Sequence, residues 1–294
     1  MHLCEKVYFK AMIFDIATFK IKIQHRRSAL LNFPESFHKN YNRFISKKHE
    51  HNDFTITIVP HSYFLLSHKK FLQYRGNSYY NNKKDIVIKS GNTIACVRIM
   101  AKEMTIGFKG KHNEFNKNIM LMAFVRLAVS LCAVLEGGLP FHSSAIAFGE
   151  CGIAFSGPSG AGKSTISKLL ASQGQLLNDD FNIILPHGKN VYKIYSTPFA
   201  KQEMLINCVN RGAKLHTIFF IEKGLTNAIE DLSFKKKFIL LLKQTFIFSL
   251  SGFFGNKILD NAEKICNKVE CKQLYFTKDG SIRPFLCRYM KDLA

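Results

Sequence analysis

A glycine-rich stretch, GPSGAGKS at residues 157–164, constrains the fold of this chain more than any other feature. It follows the apolar segment GIAFS and precedes the helix-forming segment KSTISKLLASQ, so a strand runs into it and a helix leaves it. The spacing matches G-x-x-x-x-G-K-[ST], the pattern of a loop that wraps around phosphate groups. The sequence therefore predicts a strand–loop–helix unit that binds a nucleotide.

The residue types in this loop suit an anion. Glycines let successive backbone N–H groups point inward, and the helix that follows presents free N–H groups to the same phosphate. A lysine and a serine at the helix start can contact the β- and γ-phosphates of ATP and ligate Mg²⁺. The predicted nucleotide-binding residues are Gly157, Ser159, Gly160, Ala161, Gly162, Lys163, Ser164 and Thr165.

Two adjacent aspartates follow soon after the loop. Asp179 and Asp180 come 16 and 17 residues after Lys163, behind a short apolar pair. Neighbouring side chains on a strand point to opposite faces, so we expect the two carboxylates to have different surroundings. One can ligate Mg²⁺ and the other can act as a general base with a raised pKa. An ordinary Asp-Asp turn beside a helix end is the alternative interpretation.

Several segments together resemble a known family, the HPr kinase/phosphorylase-related proteins, whose nucleotide site is similar to that of phosphoenolpyruvate carboxykinase. The resemblance covers roughly residues 137–200, and LHTIFFIEKG and LYFTKDGSIRPFL extend it more loosely. It implies an α/β fold with a phosphoenolpyruvate carboxykinase-like P-loop kinase core. The segments that carry it are, in order, FHSSAIAF, GIAFSGPSGAGKST, LLNDD and YSTPF.

The resemblance also implies roles for individual residues. His142 falls on the histidine of the strand before the loop. Asp179 is implied as the base and Asp180 as a metal ligand, although the two aspartate roles can be exchanged. The loop motif itself predicts Lys163 as a catalytic residue and Ser164 as a second metal ligand. A histidine has a reference pKa of about 6.5, which suits phosphate contact or proton movement.

Two departures from HPr kinase itself concern the acceptor. Thr165 stands where that enzyme has an acidic residue, and its basic C-terminal signature loop is not found. Relatives of the divergent kind phosphorylate a serine of a ribosomally made peptide precursor, such as a lasso peptide, or free serine. Basic residues beyond YSTPF are candidates for clamping the phosphoryl group or for a solvated face: Lys201, Arg211 and Lys214.

The parts of the chain outside this core differ in composition. Residues 1–105 show alternating segments at 12–23, 54–59 and 85–100, which predict a β-rich N-terminal region that is a candidate for binding the acceptor. Residues 106–294 are predicted to form the kinase domain, beginning with a helix near 115–136.

Charge and cysteines limit the partners and the compartment. The chain has 42 Lys and Arg against 21 Asp and Glu, a balance that favours anionic partners. No aromatic-basic RNA motif accompanies it, so nucleic acid is not an expected partner, and a homo-oligomer is left open. The eight cysteines contain no CxxC pair, which favours reduced thiols and a cytoplasmic location.

Two apolar runs, 119–135 and 238–254, need comparison with membrane spans. Each contains a charge near its centre, Arg126 or Lys243. A charge at bilayer depth costs roughly 2.5–3.5 kcal/mol. We therefore expect buried helices and no membrane span.

The sequence as a whole predicts an ATP- and Mg²⁺-dependent kinase that phosphorylates a serine hydroxyl of a peptide or protein, with a ribosomal peptide precursor as one candidate. A true HPr kinase/phosphorylase and a free-serine kinase are alternatives within the same chemistry. A nucleotide-gated module that binds nucleic acid or protein without phosphotransfer is an alternative of another class.

Overall fold

A computed structural model of the chain describes residues 7–9, 11–25, 31–33, 41–46, 51–60, 70–74, 77–81, 85–91, 93–108, 114–199, 209–246 and 252–291. The chain forms two compact units, Met1–Cys132 and Ala133–Ala294. The fold is mixed α/β, as predicted.

The first unit is built mainly of strands. An eight-stranded sheet has the order β2-β3-β5-β10-β9-β8-β7-β6, and β1 pairs with β4 separately. A 3₁₀ turn, Asn42–Phe44, follows β4. The strands are β1 (Val7–Phe9), β2 (Ala11–Ile16), β3 (Phe19–His25), β4 (Leu31–Phe33), β5 (Phe54–Pro60), β6 (Lys70–Tyr74), β7 (Asn77–Asn81), β8 (Asp85–Ser90), β9 (Thr93–Arg98) and β10 (Glu103–Phe108).

Alternation explains why these segments pair as strands. In β3, Phe19, Ile21 and Ile23 are buried, while the lysines between them are partly exposed. In this strand the apolar side chains therefore point to one face of the sheet and the lysines to the other. The strands predicted within 12–23, 54–59 and 85–100 are all observed.

Helix α1, Glu114–Leu135, contains the boundary between the two units. Its residues are apolar around most of its circumference, and nearly all those from Leu121 to Val134 are buried. A helix with this composition is a core element. The helix predicted at 115–136 is confirmed.

The second unit holds a nine-stranded sheet and the remaining helices. The sheet has the order β11-β15-β16-β17-β13-β12-β14, with β19 beside β17 and β18 beside β19. Its strands are β11 (Leu139–Phe141), β12 (Ser143–Phe148), β13 (Cys151–Ser156), β14 (Gln175–Asn178), β15 (Asn182–Pro186), β16 (Tyr192–Tyr195), β17 (Gly212–Lys223), β18 (Ala228–Asp231) and β19 (Glu270–Phe276). Its helices are α2 (Lys163–Leu170), α3 (Phe234–Gln244), α4 (Gly252–Lys268) and α5 (Ile282–Lys291).

Strand β17 organises this sheet. Its first residues pair with β16, its later residues pair in parallel with β19, and its other side pairs in parallel with β13. Because β13, β17 and β19 are parallel, their carboxyl ends lie at one side of the sheet, which we call the carboxyl edge. β12 is antiparallel to β13 and begins at this edge, and β14 is antiparallel to β12 and ends there.

Helices α2 and α5 pack on one face of the sheet. Phe155 of β13 stacks on Phe219 of β17 with ring centroids 5.8 Å apart, and both rings are fully buried. On the other face of β19, Cys271 hydrogen bonds with Cys266 of α4. The face under α2 and α5 buries Ile146, Ile153, Phe155, Ala161, Ile166, Leu170, Phe219, Ile221, Leu274, Phe276, Ile282 and Leu286.

The apolar run at 238–254 differs from the expectation of a buried helix. Helix α3 ends inside it, α4 begins inside it, and the described side chains of α3 are exposed or partly exposed except for Leu241. The helix stops because Thr245 adopts an extended conformation and forms a β-bridge with Phe141. Across the described ranges, no helix is both long enough and apolar enough to cross a bilayer.

The core packing predicts the effect of truncating one ring. Phe155→Ala is expected to lower the free energy of unfolding by about 3–5 kcal/mol, since it leaves a cavity beside Phe219. Leu225→Ala is the control, because Leu225 is 99% exposed, and should change stability by under about 0.5 kcal/mol. Urea unfolding followed by circular dichroism measures both, and equal losses would contradict this account of the core.

The carboxylate of Glu270, the first residue of β19, is expected to make the stability of the fold depend on pH. Glu270 accepts hydrogen bonds from the Tyr289 hydroxyl of α5 at 2.6 Å and from the Thr217 hydroxyl at 3.2 Å, and Lys272 Nζ lies 3.2 Å away. Burial raises the pKa of Glu270, but these hydrogen bonds outweigh it and hold the pKa below its ordinary value of 4.5.

A carboxylate whose pKa is depressed on folding contributes stability above its unfolded pKa and loses it as the pH falls through its folded pKa. Wild type should therefore be more stable than Glu270→Gln above about pH 4.5, and the difference should shrink below that. Glu263→Gln, at an exposed site on α4, is the matched control. The measurement is the midpoint of urea unfolding at pH values from about 3 to 7, a range that spans the titration of glutamate carboxylates.

Candidate functional site

A cavity of about 380 Å³ opens at the carboxyl edge of the second unit. Four separate segments form its wall: the residue before β12, the loop between β13 and α2, the turn after β14, and the loop after β19. The lining residues are His142, Ser159, Gly160, Gly162, Lys163, Ser164, Thr165, Asp179, Asp180 and Lys278.

Most residues singled out in the sequence therefore line one cavity. Among the residues predicted to bind the nucleotide, the exceptions are Gly157 and Ala161, which are in the same loop but do not line the cavity. Ala161 instead packs into the apolar core under α2. The carbonyl of Gly157 accepts a hydrogen bond from Lys163.

Two glycines give the loop its shape. Gly160 and Gly162 have φ of +80° and +111°, values that side chains with a Cβ rarely adopt. A Cβ at Gly162 would lie only 2.5 Å from Cζ of Phe276, at the end of β19. The loop thus approaches its neighbouring strand so closely that only glycine fits.

Lys163 is the first residue of α2 and is 9% exposed. Its ammonium group donates to the Gly157 carbonyl at 2.6 Å and to the Pro158 carbonyl at 3.2 Å. The loop therefore holds a buried cation at the cavity wall by backbone oxygens, a position from which it can reach an anion.

The aspartates lie on a turn and not on a strand as expected, because β14 ends at Asn178. The side-chain oxygen of Asn178 accepts from the backbone N–H of Asp180 at 2.8 Å and of Phe181 at 2.9 Å, which closes the turn. Both carboxylates consequently line the same cavity instead of facing opposite sides of a sheet. Their exposures still differ, since Asp179 is 3% exposed and the Asp180 side chain 28%.

A second segment holds this turn in place. The Asn178 side-chain amide donates to the Thr197 carbonyl at 2.7 Å, and the Thr197 hydroxyl donates to the Phe181 carbonyl at 2.5 Å. Both Asn178 and Thr197 are fully buried. Asn178 and Thr197 are positioning residues that the sequence did not reveal, because nothing in their spacing indicates that they meet.

His142 lies beside Asp180. Its Nδ1 is 2.8 Å from the Asp180 carbonyl oxygen and 3.5 Å from the Asp180 carboxylate. Because a carbonyl can only accept, the shorter contact requires a proton on Nδ1. The His142 backbone is fixed on both sides, since its N–H donates to the Gln244 carbonyl and its own carbonyl accepts from Ser156 Oγ, each at 2.8 Å.

Buried hydroxyls connect the strands to α2. Ser144 of β12 forms a short hydrogen bond with Ser167 of α2, and Ser167 Oγ donates to the Lys163 carbonyl at 2.9 Å. Both serines are buried. These bonds fix the start of α2 relative to the strand that follows His142.

Arg211 and Lys214, two of the basic residues considered as phosphate clamps, do not line the cavity. The guanidinium of Arg211 donates to the side chains of Gln175 and Glu150 and to the Gly149 carbonyl. It therefore links the turn between β12 and β13 to the start of β14. The third candidate, Lys201, lies outside the described residues. Lys278 lines the cavity instead.

The cavity offers oxygen donors for a metal ion. Ser164 and Asp180 both line it, and hydroxyl and carboxylate oxygens are ligands that Mg²⁺ prefers. In the described part of the chain, no group of three or more His, Cys, Asp or Glu side chains forms a metal cluster. This donor set fits Mg²⁺, which uses one or two carboxylates together with phosphates and water.

The fold and the cavity define a mixed α/β protein that gathers two lysines, two aspartates and a histidine at one sheet edge. Residues 110–272 match the sequence model of the family described as SynChlorMet cassette protein ScmC. These residues are more than half of the 294 in the chain, so the chain belongs to this family. No curated protein matches the chain.

Among solved structures, the chain is similar to the HPr(Ser) kinase/phosphatase from Coxiella burnetii. The two share 12% sequence identity with a TM-score of 0.31, over 52% of this chain and 88% of that chain. At this level of likeness, function has to be inferred from the site itself.

The loop geometry predicts different costs for two similar substitutions. Gly160→Ala has open space for its Cβ and should lose only the roughly 1–2 kcal/mol of left-handed strain. Gly162→Ala adds the clash with Phe276 and should lose about 1–3 kcal/mol more. Adding Phe276→Leu should recover part of the second loss. Urea unfolding compares the variants, and equal losses at both glycines would contradict the close approach.

Proposed function

We propose that this protein is an ATP- and Mg²⁺-dependent kinase that transfers the γ-phosphoryl group to a serine hydroxyl of a peptide or protein. The observation that carries the proposal is the single cavity shared by Lys163, Ser164, His142 and the two aspartates. These are the groups that phosphoryl transfer needs for holding charge and positioning the acceptor.

The nucleotide would bind through the 157–165 loop. Left-handed glycines at 160 and 162 leave room for close approach of phosphate oxygens to the backbone. Lys163 would exchange its contacts with the loop carbonyls for contacts with phosphate. The remaining contacts proposed in this loop are those of Gly157, Ser159, Ala161, Ser164 and Thr165.

Mg²⁺ would be held by Ser164 and Asp180. When bound, the ion neutralises charge that develops on the phosphate oxygens. Asp180 is the more exposed of the two carboxylates, which supports assigning it to a hydrated ion. His142 Nδ1 donates to the backbone of Asp180 and would fix the turn that orients this ligand.

Asp179 would act as the base. The serine oxygen forms a bond to the γ-phosphorus while the bond from that phosphorus to the β,γ-bridging oxygen breaks, and ADP leaves. The hydroxyl proton passes to the Asp179 carboxylate, whose burial favours proton uptake over hydration. Because the transition state is loose, this help should matter less than charge stabilisation and positioning.

The wider assignments are parts of the same proposal. The second unit would be a member of the HPr kinase/phosphorylase-related group with a phosphoenolpyruvate carboxykinase-like core, and residues 1–105 would bind the acceptor. A ribosomally made peptide precursor is the acceptor class we favour. A cytoplasmic location belongs to the same proposal, and it is supported by the reduced state of the described cysteines, none of which is in a disulfide: Cys96, Cys132, Cys151, Cys266, Cys271 and Cys287.

Three variants test the assignment of roles. Lys163→Ala should abolish both MgATP binding and turnover. Asp179→Asn should bind MgATP within a few-fold of wild type but lose about 10²–10⁴-fold in turnover. Lys168→Ala, at an exposed position of the same helix, is the matched control and should behave as wild type. Calorimetry gives affinity, transfer from labelled ATP gives turnover, and thermal melting checks folding.

Acceptors are compared in the same transfer assay. Serine-containing peptides, HPr and free serine are incubated separately with labelled ATP, and mass spectrometry identifies the modified residue. Phosphorylation of HPr or of free serine alone would replace the proposed acceptor class. Salt-sensitive nucleic-acid binding without any phosphoryl transfer would overturn the kinase proposal. Transfer by Asp179→Asn at the wild-type rate would overturn only the assignment of Asp179 as the base.

A further inference from the structure

The loop after β19, Thr277–Ser281, brings a second lysine to the cavity. Lys278 lines the cavity together with Lys163, although 115 positions separate them in the sequence. Its strand, β19, ends at Phe276, whose ring lies against Gly162. The loop that carries Lys278 therefore starts where the glycine-rich loop turns into α2.

Resting on the proposed function, we propose that Lys278 is a nucleotide-binding residue that contacts the phosphates of MgATP and MgADP from the side opposite α2. Lys163 would contact the phosphates from the helix start and Lys278 from the loop after β19. The phosphate chain would then lie between two cations, one at the start of α2 and one in the loop after β19.

The shape of the 277–281 loop is fixed by side chains other than Lys278. The side-chain oxygen of Asn227 accepts from the Thr277 backbone N–H at 3.0 Å, and the side-chain amide of Asn227 donates to Ser281 Oγ at 2.7 Å. Asp279 accepts from the Thr277 hydroxyl at 3.0 Å and from the Ser281 backbone N–H at 2.8 Å. A loop held in this way presents its remaining side chain without a large ordering cost on binding.

Asp279 is occupied within the loop. Hydrogen bonds from the Ser281 side chain and backbone and from Thr277 keep the pKa of Asp279 below its ordinary value. Among the described residues, no carboxylate lies within ion-pair distance of Lys278. By contrast Lys272, on β19 itself, forms ion pairs with Glu270 and Asp231. Lys278 is thus a cation at the cavity wall that no carboxylate of the described ranges neutralises.

The charge balance of the cavity favours this role. Lys163 and Lys278 are matched by Asp179 and Asp180, so the lining has no net cationic excess before Mg²⁺ is bound. A nucleotide triphosphate carries several negative charges, and one lysine leaves most of them to the metal and the backbone. A second lysine, which lines the same cavity, supplies additional positive charge for these phosphate oxygens.

The test measures binding of MgATP, MgADP and adenosine by calorimetry. Lys278→Met keeps the length of the side chain and removes its charge, and should weaken MgATP and MgADP roughly tenfold or more. Adenosine binding should not change, and Lys278→Arg should stay within a few-fold of wild type. The matched control is Lys223→Met, because Lys223 is exposed at the same edge, at the end of β17, but does not line the cavity.

The outcomes separate this inference from the proposed function. If wild type binds MgATP and Lys278→Met binds it equally well, the inference is wrong and the kinase proposal stands. An equal loss for adenosine would also overturn it, because the lysine would then contact the nucleoside. If wild type binds neither nucleotide, both proposals fail. Thermal melting should show little change in Lys278→Met, since Lys278 is exposed and makes no ion pair with a carboxylate of the described segments.

Discussion

The parallel pairing of β13, β17 and β19 is the constraint on which the site depends. Parallel strands end on the same side of a sheet, so the loop after β13 and the loop after β19 come together although their sequences are distant. The antiparallel strands β12 and β14 then start and end at that side, which brings His142 and the aspartates to it. One pattern of strand directions thus collects four segments around one cavity.

Close contacts convert this shared location into a defined geometry. The ring of Phe276 against Gly162 fixes the glycine-rich loop against the end of β19. Asn178 and Thr197, both buried, fix the aspartate turn by hydrogen bonds to backbone groups. Neither pair contributes chemistry, but buried polar groups with satisfied hydrogen bonds are costly to disturb, so the functional side chains stay where the fold puts them.

The two aspartates illustrate how environment can divide similar groups between roles. They are adjacent in sequence and line one cavity, yet Asp179 is almost completely buried while Asp180 is partly open and lies beside His142. Burial disfavours the charged form of a carboxylate, whereas an open carboxylate stays available to a hydrated cation. This difference supports Asp179 as base and Asp180 as metal ligand, and it arises from the turn, not from strand alternation.

The sequence by itself determined the local elements. Alternating segments predicted strands of the first unit, the apolar run predicted α1, and the glycine-rich pattern predicted the strand–loop–helix unit, because these depend on neighbours in the chain. It also indicated His142, Lys163, Ser164 and both aspartates. Four features were decided only by the tertiary structure. Strand β14 ends at Asn178, and most side chains of α3 are exposed or partly exposed. Arg211 binds the Gly149 carbonyl outside the cavity, and Lys278 lines the cavity. Those outcomes depend on partners far away in the sequence, and no local pattern records them.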